Sequence, residues 1–219
     1  MRSIPQALIW ELWRHGRWNL LGGLLIANLV PALVFTALRF DGGVDPEHFS
    51  FLMLHITLVP INGFVFAAQA FTAQGNLARL YTMPASTPTL VTWHLLPLMV
   101  LVGAESAASS AVLNAQFGLD WPVWGPAFFA AVMVAAIAAL HWLTEHSGWE
   151  VVAMLTVPLA LGLWFKSRYG AMFSMPEFFW RQITPAEGAT LAGIALLAYA
   201  VAVYGVARNR RGVPLPSLG

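Results

Sequence analysis

The chain has 219 residues, of which 58% are hydrophobic and only 10% are charged, and its mean hydropathy is +0.69. A water-soluble domain carries roughly 25% charged residues, so this composition argues against a soluble fold and favours a membrane protein. The net charge of +1 argues against a nucleic-acid partner, and the absence of cysteine excludes disulfides and cysteine-ligated metals.

The N-terminal segment, residues 4–17, has the pattern of a short amphipathic helix. At about 100° per residue, Leu8 and Leu12 share one arc, whereas Arg14 and Arg17 fall largely opposite. This pattern predicts an interfacial helix on the surface of the inner leaflet. A basic flank that only sets membrane orientation is the alternative.

Six long apolar runs predict an all-α, polytopic membrane protein. The first run, residues 18–38, would form a helix about 31 Å long, which matches a hydrocarbon core of roughly 30 Å. We therefore expect residues 1–219 to form a single transmembrane domain with six helices after the interfacial one. The predicted spans cover about residues 18–38, 51–73, 90–114, 122–143, 148–165 and 188–207.

Six spans would place both termini on one side of the membrane, and the basic residues indicate which side that is. Seven of the eleven basic residues fall on the side of the termini: Arg2, Arg14, Arg17, Arg79, Arg208, Arg210 and Arg211. The positive-inside rule therefore predicts an integral plasma (inner) membrane protein with both termini in the cytoplasm.

The connector of residues 74–88 would then also be cytoplasmic, and it is unusually apolar for a loop. Leu77, Leu80 and Tyr81 flank Arg79 and precede a break at Pro84. Exposed apolar residues in a short ordered segment usually mark a contact surface. The following Ser86-Thr87-Pro88 is a helix-start signal, with a hydroxyl cap and an early proline.

This organisation resembles the permease subunits of type-2 ABC exporters, which combine an interfacial N-terminal helix, six spans and a cytoplasmic L-x-x-L-x-x-x-P-x-S/T segment before span three. The resemblance implies a subunit without an ATPase site or bound cofactor of its own. It would export a substrate by coupling to ATP hydrolysis in a separate ABC ATPase, and it would pair in the lipid bilayer with a second permease, either a copy or a paralogue. The residues that stand in the coupling segment are Leu77, Arg79, Leu80, Tyr81, Thr82, Pro84 and Ser86.

Polar residues inside the predicted spans form a second pattern. In span two His55, Asn62 and Gln69 recur every seven residues, so they share one helix face. In span three Glu105 and Ser109 lie one turn apart, and an ionised carboxylate there would be costly in lipid. We expect Glu105 to face a polar cavity or a dimer seam together with His55, Asn62 or Gln69. For Asn62, Ser106 and Ser110, hydrogen bonding between helices is the simpler interpretation.

A membrane-embedded enzyme or assembly factor is the alternative function. His141, Glu145 and His146 cluster at the predicted cytoplasmic turn between spans four and five, and such side chains can bind zinc or iron. Their spacing matches no metalloprotease pattern, and a turn is where polar residues belong. No Gly-rich phosphate loop is present, and the identity of a substrate does not follow from the sequence.

Overall fold

A computed structural model describes residues 4–40, 82–144, 156 and 182–212. In these residues the protein is all-helical, without a β-strand. Four long helices account for nearly all of them: α1 (Ile4–Phe40), α2 (Thr87–Phe117), α3 (Trp124–Thr144) and α4 (Pro185–Arg210).

Each of the four helices contains a segment long and apolar enough to cross a membrane. These segments coincide with the predicted spans at 18–38, 90–114, 122–143 and 188–207, so the prediction of long apolar helices is confirmed for them. The predicted span at 51–73 lies outside the described residues, as does that at 148–165 apart from residue 156, and six spans therefore remain a prediction.

The N-terminal helix α1 is continuous over 37 residues, about 55 Å at 1.5 Å per residue. It joins the predicted interfacial segment to the first span, so a separate interfacial helix is not confirmed. Leu8 and Leu12, the apolar arc of that segment, are buried against α2 and its neighbours. Pro31 lies inside the helix, as membrane helices tolerate.

Local signals explain where α2 begins and ends. Ser86 is the N-cap: its hydroxyl accepts a hydrogen bond from the backbone N–H of Thr89, and Pro88 lies in the first turn. This confirms the helix start expected from the sequence. At the other end Gly118 adopts φ 67°, a left-handed conformation that glycine reaches without steric cost. The Asn114 side chain then bonds both backbone groups of Trp121, which fixes the turn into α3.

A capping box starts α4. The hydroxyl of Thr184 accepts from the backbone N–H of Glu187, and the Glu187 carboxylate accepts from the Thr184 N–H at 2.9 Å. Pro185 occupies the first turn, where its missing N–H costs nothing. The helix therefore starts three residues before the predicted span.

Contacts between the helices fix their relative directions. Leu8 packs on Leu90, and Asn28 bonds Ser109, so α1 and α2 run parallel. The ring of His94 lies 5.2 Å from that of Trp142, near the start of α2 and the end of α3, so these two helices are antiparallel. Contacts between the C-terminal turns of α3 and α4 show that α4 runs parallel to α3.

The bundle consequently has two distinct ends. We call the end that holds the starts of α1 and α2 and the last turns of α3 and α4 the arginine end, after Arg208 and Arg210. The opposite end, where α1 and α2 finish and α3 and α4 begin, is called the groove end.

Small side chains bring α3 and α4 together along their length. Ala135, Ala138 and Ala139 of α3 face Ala198 and Ala202 of α4, and all five are buried. Alanines allow two backbones to approach closely, which is how helices pack without a hydrophobic driving force in lipid. By contrast α1 packs chiefly on α2 and leaves Trp18, Leu25 and Leu33 exposed.

Candidate functional site

The last part of the connector is held at the arginine end by α4. The guanidinium of Arg210 donates to the backbone oxygens of Ala85 at 2.8 Å and Met83 at 3.2 Å, and to the Thr87 hydroxyl at 3.2 Å. These atoms lie immediately before α2 and at its first residue. The planar guanidinium group of Arg210 makes all three hydrogen bonds. The residues that lead into α2 are therefore bonded to the last turn of α4.

The same turn of α4 also caps α3. Arg208 donates to the backbone oxygen of Leu143 at 2.6 Å, and the Asn209 amide donates to that of Trp142 at 2.9 Å. The last carbonyls of a helix have no partner within the helix itself. Arg208 and Asn209 satisfy two of those of α3, so three consecutive residues of α4, 208–210, join α2, α3 and α4 at this end.

Close backbone packing reinforces the junction. At Gly205 an added Cβ atom would lie 2.8 Å from the Trp142 oxygen and 2.9 Å from the Leu143 nitrogen. Real Cβ atoms essentially never approach that closely, and the atoms they would meet belong to a helix backbone. Only glycine therefore allows α4 to touch α3 here.

Tyr199, about three turns before Arg210 on α4, also bonds α2. The Tyr199 hydroxyl donates to the backbone oxygen of Pro88 at 3.4 Å and shares a hydrogen bond of 3.0 Å with the Thr92 hydroxyl. Beyond this point towards the groove end, α2 and α4 separate.

The space between them is a groove of about 1090 Å³ with α3 as its floor. Its lining is almost entirely apolar, and no charged side chain is among the described residues that line it. Much of the wall consists of small residues: Gly103, Ala104, Ala107, Ala127, Ala131 and Gly188. Three aromatic residues, Trp124, Phe128 and Tyr199, also line it.

A polar contact joins α1 to α2 near the level of the groove. Asn28 donates to the Ser109 hydroxyl at 2.9 Å and to the backbone oxygen of Leu24 at 2.7 Å. Ser109 is fully buried, and Glu105, one turn earlier on the same face, is 4% exposed. Both side chains are therefore buried in the bundle, and a polar cavity or dimer seam at this face stays a prediction.

The structure describes only part of each predicted site. Of the coupling segment it includes Thr82, Pro84 and Ser86, all exposed and all beside the Arg210 contacts. The other members, Leu77, Arg79, Leu80 and Tyr81, lie outside the described residues, as do His55, Asn62 and Gln69 of the polar face. Whether Glu105 faces those three therefore stays a prediction.

The suggested metal site at His141, Glu145 and His146 also stays a prediction. His141 lies in the last turn of α3, but Glu145 and His146 are beyond the described residues. Within the described ranges, no three potential metal ligands come together. Thr144, at the end of α3, bonds back to the Leu140 oxygen of its own helix.

Comparisons of the chain with protein-family models, with curated proteins and with solved structures give no match.

Proposed function

We propose that this chain is the membrane-spanning permease subunit of an ATP-driven exporter, and that it is coupled to a separate ATPase subunit through the connector of residues 74–88. The observation that carries the proposal is the Arg210 junction. It joins the end of that connector to α4, which with α2 borders the groove.

The directions of the helices support six spans. Phe40 ends α1 at the groove end, whereas Thr87 begins α2 at the arginine end. Likewise, α3 ends at the arginine end and α4 begins at the groove end. If the four helices cross a bilayer, the chain has to cross it an odd number of times between each of these pairs, and one crossing each gives six.

The charge distribution supports an orientation with the arginine end in the cytoplasm. Arg208, Arg210 and Arg211 lie at this end, together with the start of α1. Cytoplasmic loops and tails carry the excess of arginine and lysine in membrane proteins. The connector would then face the compartment that contains ATP.

The junction offers a mechanical route from the connector to the membrane helices. A displacement of residues 83–87 would pull on Arg210, and through it on the last turn of α4, which is itself capped onto α3. Since helices are rigid over several turns, a movement at the arginine end would change the separation of α2 and α4 at the groove end. Docking of an ATPase on the connector is thereby linked to opening and closing between these helices.

Affinity purification in mild detergent from the native host, followed by mass spectrometry, tests the proposal. We expect recovery of a protein that carries the phosphate-binding pattern G-x-x-x-x-G-K-S/T. Leu80→Asp and Tyr81→Asp place a charge on the apolar part of the connector and should abolish recovery.

Ala115→Asp is the matched control, because Ala115 is exposed near the end of α2 at the groove end. It introduces the same charge on the opposite side of the bundle and should leave the ATPase bound. Stable protein recovered without any ATPase would contradict the proposal. Stoichiometric metal in that preparation would instead favour the enzyme hypothesis, with His141, Glu145 and His146 as the place to look.

A further inference from the structure

From the shape and chemistry of the groove between α2 and α4, we infer that it is a binding site for hydrocarbon chains, the acyl tails of a membrane lipid or lipid-like molecule. The binding site itself does not depend on an ATPase. Its use as a substrate site, which would make the cargo a molecule with a hydrocarbon tail, rests on the proposed export function.

The polar atoms at the groove indicate the class of ligand. The Tyr199 hydroxyl is bonded to Pro88 and Thr92, and the Thr184 hydroxyl is bonded to Glu187 within the capping box. Since neighbouring residues already use both hydroxyls, neither requires a bond from a ligand. A polar ligand would lose its hydration without compensation here, whereas a hydrocarbon chain would lose nothing.

The length of the groove fits one leaflet. Its wall on α2 runs from Leu96 to Ala107, about 17 Å, and its wall on α4 runs from Pro185 to Tyr199, about 21 Å. Each leaflet contributes about 15 Å to a hydrocarbon core of roughly 30 Å. An extended acyl chain would therefore occupy the groove from end to end, parallel to the helices.

The width of the groove is set by its small residues. At Gly103 an added Cβ would lie 3.4 Å from the Ala127 oxygen and 3.5 Å from the Ala131 Cβ, so the floor is closely packed rather than hollow. Glycine and alanine in the walls leave a smooth channel. Its volume of about 1090 Å³ is slightly larger than that of most ligand sites.

The mouth of the groove suggests where a headgroup would lie. Trp124 is 60% exposed at the start of α3, on the groove end, beside the capping box of α4. Tryptophan favours the level of lipid headgroups because its ring is apolar and its N–H is polar. With the tail in the groove, the headgroup of an outer-leaflet lipid would lie beside Trp124.

Photo-crosslinking on the purified full-length chain tests this inference. The protein is reconstituted in vesicles of phosphatidylcholine with a trace of the same lipid carrying a diazirine in its acyl chain, and the labelled peptides are identified by mass spectrometry. Leu196 and Leu197 provide an internal comparison: they are 70% and 66% exposed, but only Leu196 lines the groove. We expect several-fold more labelling at Leu196 and Phe128 than at Leu197 and Val112, which is also exposed outside the groove.

Two pairs of variants then test whether the groove is responsible. Leu196→Trp and Ala107→Trp narrow the groove and should reduce labelling at Phe128 several-fold. Leu197→Trp and Ala108→Trp place the same ring on neighbouring exposed positions outside it and should leave the labelling unchanged. Equal labelling of Leu196 and Leu197 in the unaltered protein would overturn the inference, because it would show only the ordinary lipid shell.

The labelling requires no ATPase, so its outcome is separate from that of the purification experiment. Selective labelling without a recovered ATPase would leave the lipid site standing and remove the export function. Recovery of an ATPase together with unselective labelling would support the export function and remove the lipid site.

Discussion

The pair formed by α2 and α4 is closed at one end and open at the other, and the two ends are built from different chemistry. At the arginine end, Arg210 and Tyr199 join the helices through directional hydrogen bonds. At the groove end, the same two helices face each other across an apolar space. The difference predicts a pair that is fixed at the arginine end and able to vary its separation at the groove end.

The third helix makes this arrangement possible. Close packing of alanines and of Gly205 keeps α4 on α3, while α3 also contacts α2 around Gly103. The floor of the groove is thereby held from both sides, by α2 and by α4. A bundle packed tightly at both ends would leave no room for the proposed ligand. A bundle packed loosely at both ends could not transmit the proposed movement of the connector.

The largest effect is expected at Gly205, where a side chain would break the closed end. Gly205→Ala forces a Cβ against the backbone of Trp142 and Leu143, and we expect a loss of about 1–3 kcal/mol in the free energy of unfolding. Gly205→Leu should cost more. Thermal unfolding in detergent, followed by near-UV circular dichroism, measures both.

Gly193→Ala is the control on the same helix, because a Cβ there would meet nothing within 4 Å. Alanine is the better helix former by about 1 kcal/mol or less, so this variant should be as stable as the original or slightly more stable. If Gly205→Ala behaved like Gly193→Ala, the close contact of α3 and α4 would be wrong.

Loss of Arg210 should loosen the closed end without unfolding it. Arg210→Ala removes three hydrogen bonds, and we expect a cost of about 1–2 kcal/mol, since partial exposure lets water replace some of them. Hydrogen exchange of residues 82–90, read by mass spectrometry, should become faster. Arg210→Lys should be intermediate because an ammonium group cannot reproduce the fork of the guanidinium.

Arg211→Ala removes the same charge from the next residue, which is exposed, and should leave the exchange of residues 82–90 unchanged. Equal acceleration by both variants would show that the net charge of the C-terminal turn matters and the specific bonds do not.

The smallest effect is expected for Tyr199→Phe. This variant separates the contribution of the Tyr199 hydroxyl to the arginine end from the contribution of its ring to the groove. It removes the bonds to Pro88 and Thr92 but keeps the ring that lines the groove. We expect a loss of about 0.5–1.5 kcal/mol in stability, with labelling of the groove by the lipid probe retained. Tyr204→Phe, at a position 62% exposed, should change neither. A loss of labelling in Tyr199→Phe would place the hydroxyl among the ligand contacts.

Much of the fold could be predicted from composition and local signals. Apolar runs with at most one charged residue located the four described long helices, because lipid penalises charge in a span. The cap at Ser86 was also visible, since a hydroxyl followed by an early proline is a local pattern. Continuity of α1 was not predicted, because the burial of Leu8 and Leu12 on α2 depends on a neighbour distant in sequence.

The site was only partly predictable for the same reason. Arg208 and Arg210 were recognised as charges that set orientation, but their bonds to Leu143, Ala85 and Met83 reach residues more than 60 positions away. Basic residues in the last turn of a helix, a known capping pattern, were the one available signal. Nothing in the sequence indicates the groove, which exists because α2 and α4 diverge.

The most direct test of the fixed and variable ends is a pair of distance measurements by double electron–electron resonance in lipid nanodiscs. The chain contains no cysteine, so spin labels can be placed at Thr89→Cys with Tyr204→Cys at the arginine end, and at Ala108→Cys with Ala186→Cys at the groove end. All four positions are exposed. We predict a narrow distance distribution at the arginine end that broadens with Arg210→Ala, and a broad one at the groove end. Equal widths at both ends, unaffected by Arg210→Ala, would contradict the account.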